Sequence, residues 1–449
     1  MSASRPPLSP PRILALGVVA FIAAGTILLA LPVSSAGAER LSLLSAFFTA
    51  TSAVCVTGLI VVDTPVVFSG FGQAVILVLI QVGGLGYMTL STLVAIALGR
   101  RVGLHSQFSL QESLNLTSRR DLLKFTASVF RFTLAFELIA AAILAAHWSG
   151  QFGWGTATWQ GLFHAVSAFN NAGFSLFSTS LMDSRGDVLV NAVIAILIVA
   201  GGLGYLVLIE VARYRRDRRL SMHSKLVLTM SAVLIAGGAL AIFLLERGNA
   251  ASLGSLPASE AALAAFFQSV TARTAGFNTL DVGALQPATL FLIMILMFVG
   301  AAPGGTGGGV KVSTFSVTVL ALWATIRGYR EPTVFGRRLP ADLVARAFFV
   351  SLTAFLALNV AAGLLLVTEG GELLRTLFES TSAFATVGLS TGLTGTPLSL
   401  SGGYSTAGQL VICALMFIGR VGPLTVAFAL AGRASAPRVR YPEGRVLIG

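Results

Sequence analysis

The chain has 449 residues, of which 55% are hydrophobic and only 11% charged; a water-soluble protein of this length needs far more polar surface, so the composition describes an integral membrane protein. The net charge of +12 invites a nucleic-acid partner, but no aromatic-interleaved binding module accompanies the basic residues, and that class is set aside. Two cysteines, Cys55 and Cys413, lie in apolar segments and make no disulfide framework; they are read as packing residues.

In chain order, the apolar run 13–32 is long enough for a first span. Ala36-Gly37-Ala38 behind it looks like a signal-peptidase site, but the run is longer than a signal core and is expected to be retained. A short amphipathic helix near 42–55, a glycine loop at 56–60 and a second span at 74–98 follow. The same succession recurs three times. Spans fall at 126–147 and 188–212, at 226–245 and 288–326, and at 342–367 and 407–432; short helices fall near 157–169, 259–272 and 373–385. The chain therefore divides into repeats at 13–100, 126–215, 226–328 and 341–433, with a tail at 434–449. The short helices cannot cross a bilayer and read as re-entrant. Non-helical backbone at that depth is tolerated only against protein or a watery path, which puts the four glycine loops at the centre. The expected fold is an all-α integral membrane protein of four parallel span–pore-helix–span repeats, eight transmembrane helices around one pseudo-four-fold pore.

Basic residues follow each second span: Arg100, Arg101, Arg119, Arg120 and Lys124; Arg213, Arg215, Arg216, Arg218, Arg219 and Lys225; Arg327, Arg330, Arg337 and Arg338; and Arg433, Arg438, Arg440 and Arg445, while Arg5 and Arg12 precede the first span. This is the positive-inside pattern, and it predicts a multi-pass protein of the cytoplasmic membrane with both termini in the cytoplasm.

The four loops are Val56-Thr57-Gly58, Asn171-Ala172-Gly173, Thr274-Ala275-Gly276 and Thr386-Val387-Gly388, and a phenylalanine (Phe48, Phe163, Phe266, Phe378) precedes each glycine by ten residues. A dehydrated alkali cation needs several oxygen ligands, and backbone carbonyls of tight loops supply them. Glycine at φ > 0 lets successive carbonyls face one way. None of the twelve residues is a carboxylate, which favours a monovalent cation, held by backbone carbonyls only. Asp63 and Asp281, five residues past their glycines, are candidates for an acidic mouth that concentrates cations. Solvated loop acids are the competing reading.

Two features look like obstacles in such a path. Gly304, Gly305, Thr306, Gly307, Gly308 and Gly309, preceded by Pro303, cannot hold a regular helix within the span 288–326. The interruption at 300–309 belongs to repeat three alone and is a candidate gate, the alternative being a packing kink. It is not a nucleotide-binding P-loop, because Lys311 is not followed directly by Ser or Thr. Arg420 is the second. Aligning the second spans by their glycines sets it opposite Gly84, Gly202 and Ala301, where an ionised side chain is costly and usually functional; a structural Arg satisfied by carbonyls is the alternative. Arg273 is read as a support behind its loop, paired with Glu379, and His164 as a packed residue. No catalytic nucleophile or metal cluster stands out, so an enzyme or a membrane scaffold is the weaker class. A coupled symporter using Na+ or protons is the mechanistic alternative, and the lack of a carboxylate at the loops weighs against protons.

The segments Thr51–Leu59, Ala168–Phe174, Thr271–Thr279 and Ala385–Ser390 resemble the Trk/Ktr/HKT superfamily of potassium transporters over essentially the whole chain. Pro303–Lys311 is similar to its intramembrane gating loop, Gly419–Thr425 to the segment carrying its pore arginine, and Tyr441–Gly449 to the C-terminus of its Ktr branch. The absence of an extra N-terminal pair of spans favours that branch. The resemblance implies K+ uptake by a homodimer with one pore per protomer, often Na+-dependent. It also implies a cytoplasmic RCK-type ring that carries ATP or ADP on the partner subunit.

Overall fold

The computed structural model describes residues 10–37, 40–97, 119–329, 331–423 and 425–426. Arg5, Arg100, Arg101, Arg330, Ala38, the basic residues of the tail and its closing motif lie outside them, as do the side chains of Arg119, Arg120 and Lys124. Among the described residues, thirteen longer helices run in chain order. Repeat one holds α1 (Pro10–Leu29), α2 (Leu43–Cys55) and α3 (Gly70–Ala97). Repeat two holds α4 (Arg119–Phe169), α5 (Val188–Leu203) and α6 (Tyr205–Asp217). Repeat three holds α7 (Met222–Glu246), α8 (Ala258–Thr271), α9 (Pro287–Phe298) and α10 (Val312–Ile326). Repeat four holds α11 (Ala341–Glu369), α12 (Leu373–Ala385) and α13 (Thr406–Val421). A two-residue hairpin pairs β1 (Thr333–Val334) with β2 (Arg337–Arg338).

Local chemistry sets many of these boundaries. Ser42, Ser221 and Ser405 accept a hydrogen bond from a backbone N–H three residues on, the N-cap arrangement that satisfies an orphan donor. Pro287 opens α9, where its missing N–H costs nothing. The 51-residue α4 is two helices in one: Gly153, at φ 74°, ψ 157°, separates a long first limb from the short helix that ends at Phe169.

Among the described residues, four unbroken helices are long and apolar enough to span a membrane: Arg12–Leu29, Thr126–Phe169, Met222–Glu246 and Ala341–Glu369. They open the four repeats and show apolar side chains outward: Leu16 and Ile27, Leu138 and Ile139, Leu240 and Leu244, Phe355 and Val360 are all more than half exposed. The short helices are the reverse. Nine of the thirteen residues of α2 and nine of those of α12 are buried. Lipid-facing spans thus surround buried short helices, the layering that re-entrant segments require.

The helices close into a ring. Besides packing within each repeat, α3 meets α4, α5 meets α8, α9 meets α12, and α13 returns to α2. Every repeat therefore touches the next, and the fourth touches the first.

The second spans differ from the sequence expectation. The run 188–212 is not one helix: α5 and α6 meet at Gly204 with a bend of 105°. Gly204 sits at φ 83°, and Tyr205 N–H donates to the carbonyl of Gly304 at 3.2 Å instead of continuing the helical ladder. A side chain at Gly204 would lie 2.7 Å from the Pro303 carbonyl. The stretch 288–326 is broken between Phe298 and Val312, and the run 407–432 turns out of helix at Gly422 (φ 93°).

Candidate functional site

The short helices α2, α8 and α12 and the second limb of α4 all end at the molecular centre, where the four glycine loops meet. The residue two before each glycine is left-handed: Val56 at φ 57°, Asn171 at 59°, Thr274 at 75° and Thr386 at 52°; the glycines stand at 95°, 71°, 81° and 93°. Left-handed backbone costs a non-glycine residue roughly 1–2 kcal/mol, and three of these four are β-branched, for which it is a clear outlier. Strain of this kind persists only where the surroundings fix it, and it gathers at functional sites.

The loops form a closed ring. A Cβ on Gly58 would overlap the Ala172 carbonyl and sit 3.1 Å from the Gly173 Cα; one on Gly173 would lie 2.7 Å from the Ala275 carbonyl. A Cβ on Gly276 would overlap the Val387 carbonyl, and one on Gly388 would overlap the Thr57 carbonyl and lie 3.0 Å from the Gly58 Cα. Each glycine thus makes room for the carbonyl of the next loop, from one to two, three, four and back to one. The four carbonyls of Thr57, Ala172, Ala275 and Val387 all belong to this ring. The short helices bring the negative ends of their dipoles toward it.

The loops are held differently. Ser52 Oγ accepts from Gly58 N at 3.0 Å and Ser382 Oγ from Gly388 N at 3.0 Å. The matching Ser167 instead donates to the Phe174 carbonyl at 2.7 Å. Repeat three is one residue out of step: Phe48, Phe163 and Phe378 are fully buried, but Phe266 is 41% exposed and Phe267 takes the buried place. The ten-residue spacing to Phe266 thus holds in the sequence without marking the same buried place. The helix ends five residues before Gly276 rather than three or four, and the turn that follows absorbs the offset.

A cavity of about 140 Å³ opens on one face of the ring, lined by all four glycines together with Asp63, Asp281, Ser178 and Ser180. Ser178 Oγ donates to Asp63 Oδ2 at 2.6 Å, and Asp281 Oδ1 caps Gly283 N at 2.9 Å. Both acids named from the sequence thus share this vestibule.

The interrupted segment of repeat three packs against the ring from behind. Thr306 Oγ1 donates to the Phe169 carbonyl at 3.2 Å, and Gly308 N donates to Thr386 Oγ1 at 3.1 Å. A side chain at Gly307 would lie 2.9 Å from Thr274 Cβ, and one at Gly308 would lie 3.0 Å from Thr386 Cγ2. Gly304 and Gly309 turn at φ 81° and 67°, and Gly305 packs among the carbonyls of Gly201, Gly202 and Ala302. The segment is pinned to repeat two by Ala302 N to Gly202 O at 2.9 Å and Thr306 N to Gly201 O at 3.1 Å. Lys311 Nζ donates to the Gly307 carbonyl at 2.6 Å. Arg420 donates to the carbonyls of Thr306 and Gly83. The two features singled out separately in the sequence are therefore one hydrogen-bonded unit.

Arg273 does not pair with Glu379, which corrects that expectation. Its guanidinium donates to the carbonyls of Ser231 (3.5 Å) and Gly300 (3.4 Å). Glu379 instead accepts from Ser390 Oγ at 2.6 Å and Ser401 N at 2.9 Å. His164 is buried between Gln160 O (2.8 Å) and Ser175 Oγ (3.0 Å) and stacks on Phe177. The sequence reading missed a cluster behind the second loop: Glu137 Oε1 accepts from Asn170 Nδ2 at 3.0 Å, and Glu137 Oε2 from Gln81 Nε2 at 3.1 Å. The available signal was a lone carboxylate inside the apolar run 126–147. A carboxyl group does therefore lie beside a loop, although none lies within one.

Comparison with known proteins gives one family model, described as "TrkH: Cation transport protein", which matches residues 15–436. The chain is 42% identical over 441 residues to the Ktr system potassium uptake protein B of Bacillus subtilis, covering 98% of this chain and 97% of that protein. It is 39% identical over 441 residues to the Ktr system potassium uptake protein B of Vibrio alginolyticus, covering 98% and 95%. Identity to the potassium/sodium uptake protein NtpJ of Enterococcus hirae is 37% over 454 residues, covering 98% of each. The crystal structure of the potassium transporter TrkH from Vibrio parahaemolyticus superposes with a TM-score of 0.73 at 19% identity, over 96% of this chain and 86% of that one; at that identity it speaks for the fold.

Proposed function

Because the chain belongs to the TrkH family of cation transport proteins, we propose that it takes up potassium across the cytoplasmic membrane through the ring of four glycine loops. It is a multi-pass membrane transporter and not an enzyme. The observation that carries the reading is the closed ring itself, in which each glycine admits the carbonyl of the next loop. Carbonyls at close quarters replace the hydration shell of an alkali cation, and discrimination follows from their number, field and spacing. K+ is the cargo in this reading, held by the backbone of Val56, Thr57, Gly58, Asn171, Ala172, Gly173, Thr274, Ala275, Gly276, Thr386, Val387 and Gly388. The vestibule with Asp63 and Asp281 faces outside, and the segment 304–309 with Lys311 and Arg420 lies on the cytoplasmic side as the barrier. Hydrogen bonds from that segment to Phe169 and Thr386 support a gate that senses the ring directly. The printed name of one relative joins potassium with sodium, which supports Na+-dependence.

The Ktr system names of two relatives support a partner subunit. We take that partner to be a cytoplasmic RCK-type ring with ATP or ADP bound on it, acting on a homodimer of this chain. Exposed Arg213, Arg215, Arg216, Arg218 and Arg219 at the end of α6 support a cytoplasmic placement of that face. The test is 86Rb+ or K+ uptake into proteoliposomes with Na+ competition, comparing wild type with Gly276→Ser. Selective uptake that the substitution weakens or opens to Na+ is expected. No uptake by folded wild-type protein, even with a cytoplasmic partner added, would overturn the reading.

A further inference from the structure

Glu137 lies mid-way along the first limb of α4 and is 2% exposed. An ionisable side chain at bilayer depth is costly, and its retention there is by default a sign of function. Its surroundings are specific. Glu137 comes from repeat two, Gln81 from α3 of repeat one, and Asn170 from the end of the short helix, immediately before Asn171-Ala172-Gly173. Asn170 Nδ2 donates to Glu137 Oε1 (3.0 Å), Gln81 Oε1 (2.8 Å) and the Val166 carbonyl (2.9 Å), and Gln81 Nε2 completes the triangle on Glu137 Oε2 (3.1 Å). The ion pairs among the described residues lie elsewhere, at His147–Asp187, Arg185–Glu260, Arg338–Glu331 and Arg346–Asp342. A Cβ on Gly84 would lie 3.0 Å from the Asn170 Cβ, so the glycine exists to let Asn170 reach this triangle.

The cluster answers a need that this loop shares with the third, where Val270 stands at the serine position and Gly276 N bonds the Thr271 carbonyl. Loops one and four are tied to their helices by a serine hydroxyl on the glycine N–H, whereas the serine of repeat two bonds Phe174 instead. The position three before the glycine is Cys55, Arg273 and Ala385 in the other repeats, none of which offers an amide fork. The Glu137–Asn170 bond is thus a side-chain tie between the second loop and the seam of repeats one and two. A carbonyl ring discriminates between cations only as well as its loops keep their places.

We propose that Glu137, acting through Asn170 and Gln81, is the positioning residue of the second loop and sets the preference of the ring for K+ over Na+. The proposal rests on the reading of the four loops as the filter. It requires that replacing one of the two acceptor oxygens of Glu137 by an N–H donor weaken discrimination before it weakens the fold.

The experiment is K+ uptake with Na+ competition in proteoliposomes of the full chain. It compares wild type, Gly173→Ser, Glu137→Gln, Gln81→Leu and the exchange Glu137→Gln with Asn170→Asp. Glu137→Gln is expected to raise the KM for K+ about tenfold, the scale of one strong hydrogen bond, and to lower the K+ preference by a similar factor, with a smaller change in maximal rate. Gln81→Leu, which leaves the carboxylate in place, is expected to shift both in the same direction. The exchange returns a carboxylate–amide pair to the seam with its sense reversed, and is expected to recover at least half of the lost preference. Wild-type KM and preference in folded Glu137→Gln or Gln81→Leu would overturn the proposal, as would lowered thermal stability alone. If Gly173→Ser destroys the preference while Glu137→Gln does not, only this proposal fails. If both leave it intact, the filter reading fails with it.

Discussion

Single residues decide the register of the ring. Phe266 and Phe267 look interchangeable in the chain, yet one faces outward and the other fills the place that Phe48, Phe163 and Phe378 fill elsewhere. Truncating a buried phenylalanine costs about 3–5 kcal/mol, so Phe267→Ala should lower the thermal midpoint in detergent steeply and Phe266→Ala should barely move it. Equal effects would refute the one-residue offset. Away from the membrane-spanning segments, Asp187 caps α5. Burial alone would raise its pKa, but bonds from Val190 N, His147 and Leu189 N outweigh that and hold it below its ordinary 3.8. A lowered folded pKa gives stability that is full above the unfolded value and is lost as pH falls through the folded one. Wild type should therefore hold its midpoint down to about pH 4 and lose stability below it. Asp187→Asn should start lower at neutral pH and fall less between about pH 5 and pH 3. Parallel melting curves for the two proteins across that range would remove Asp187 from the account.

Elements matter where they break. A helix that stops at Phe298 and resumes at Val312 leaves thirteen residues of backbone to satisfy (299–311). Part of it bonds within the segment, as Gly300 N does to Val310 O, and part bonds to repeat two, to Thr386 and to Arg420. Arg420 donates to the loop and to the Gly83 carbonyl of α3, so one side chain staples the loop to repeat one. Arg420→Ala should loosen that staple and raise K+ flux severalfold in proteoliposomes, about the effect of losing one or two charge-assisted bonds. Deleting 304–309 should raise it further. A folded deletion variant with wild-type flux would mean that the segment is a packing kink and not a barrier. The bend at Gly204 belongs to the same unit, because its freed Tyr205 N–H is taken up by Gly304 of the loop.

For the whole molecule, the field of the vestibule is the relevant quantity. Asp63 and Asp281 come from repeats one and three, opposite members of the ring, and reach one cavity. Charges that concentrate a cation act through a screened potential, with a Debye length of about 10 Å at 0.1 M salt. Neutralising both as Asn should cut the initial K+ uptake rate about twofold to fivefold at low ionic strength and leave it nearly unchanged at high salt. An unchanged rate at both would reduce the two acids to loop caps. Closure of the ring has a second consequence. Since α13 packs on α2, the last repeat completes the site that the first begins, and the site exists only once the chain has folded through its fourth repeat.

Much of this was legible from the chain because period and composition act locally. The expected short helix at 373–385 coincides with α12, and 42–55 and 259–272 fall within a residue of α2 and α8. An apolar run interrupted by glycine announces its own break, as it did before Val312. Cyclic order was not written anywhere, since it depends on which carbonyl meets which glycine across more than a hundred residues. Nor was the joining of Arg420 to Thr306, the separation of Arg273 from Glu379, or the bend at Gly204, whose glycine looks like any other in an apolar run. Glu137 shows the limit most plainly. Its cost in the membrane is a property of the sequence, whereas its partners Gln81 and Asn170 lie 56 and 33 residues away. Hydrophobic patterning and backbone freedom are encoded residue by residue, so the sequence determined the helical membrane setting, the short helices and the glycine break before Val312. Pairing of buried polar groups is a matter of distance in space, and only the tertiary structure decided it.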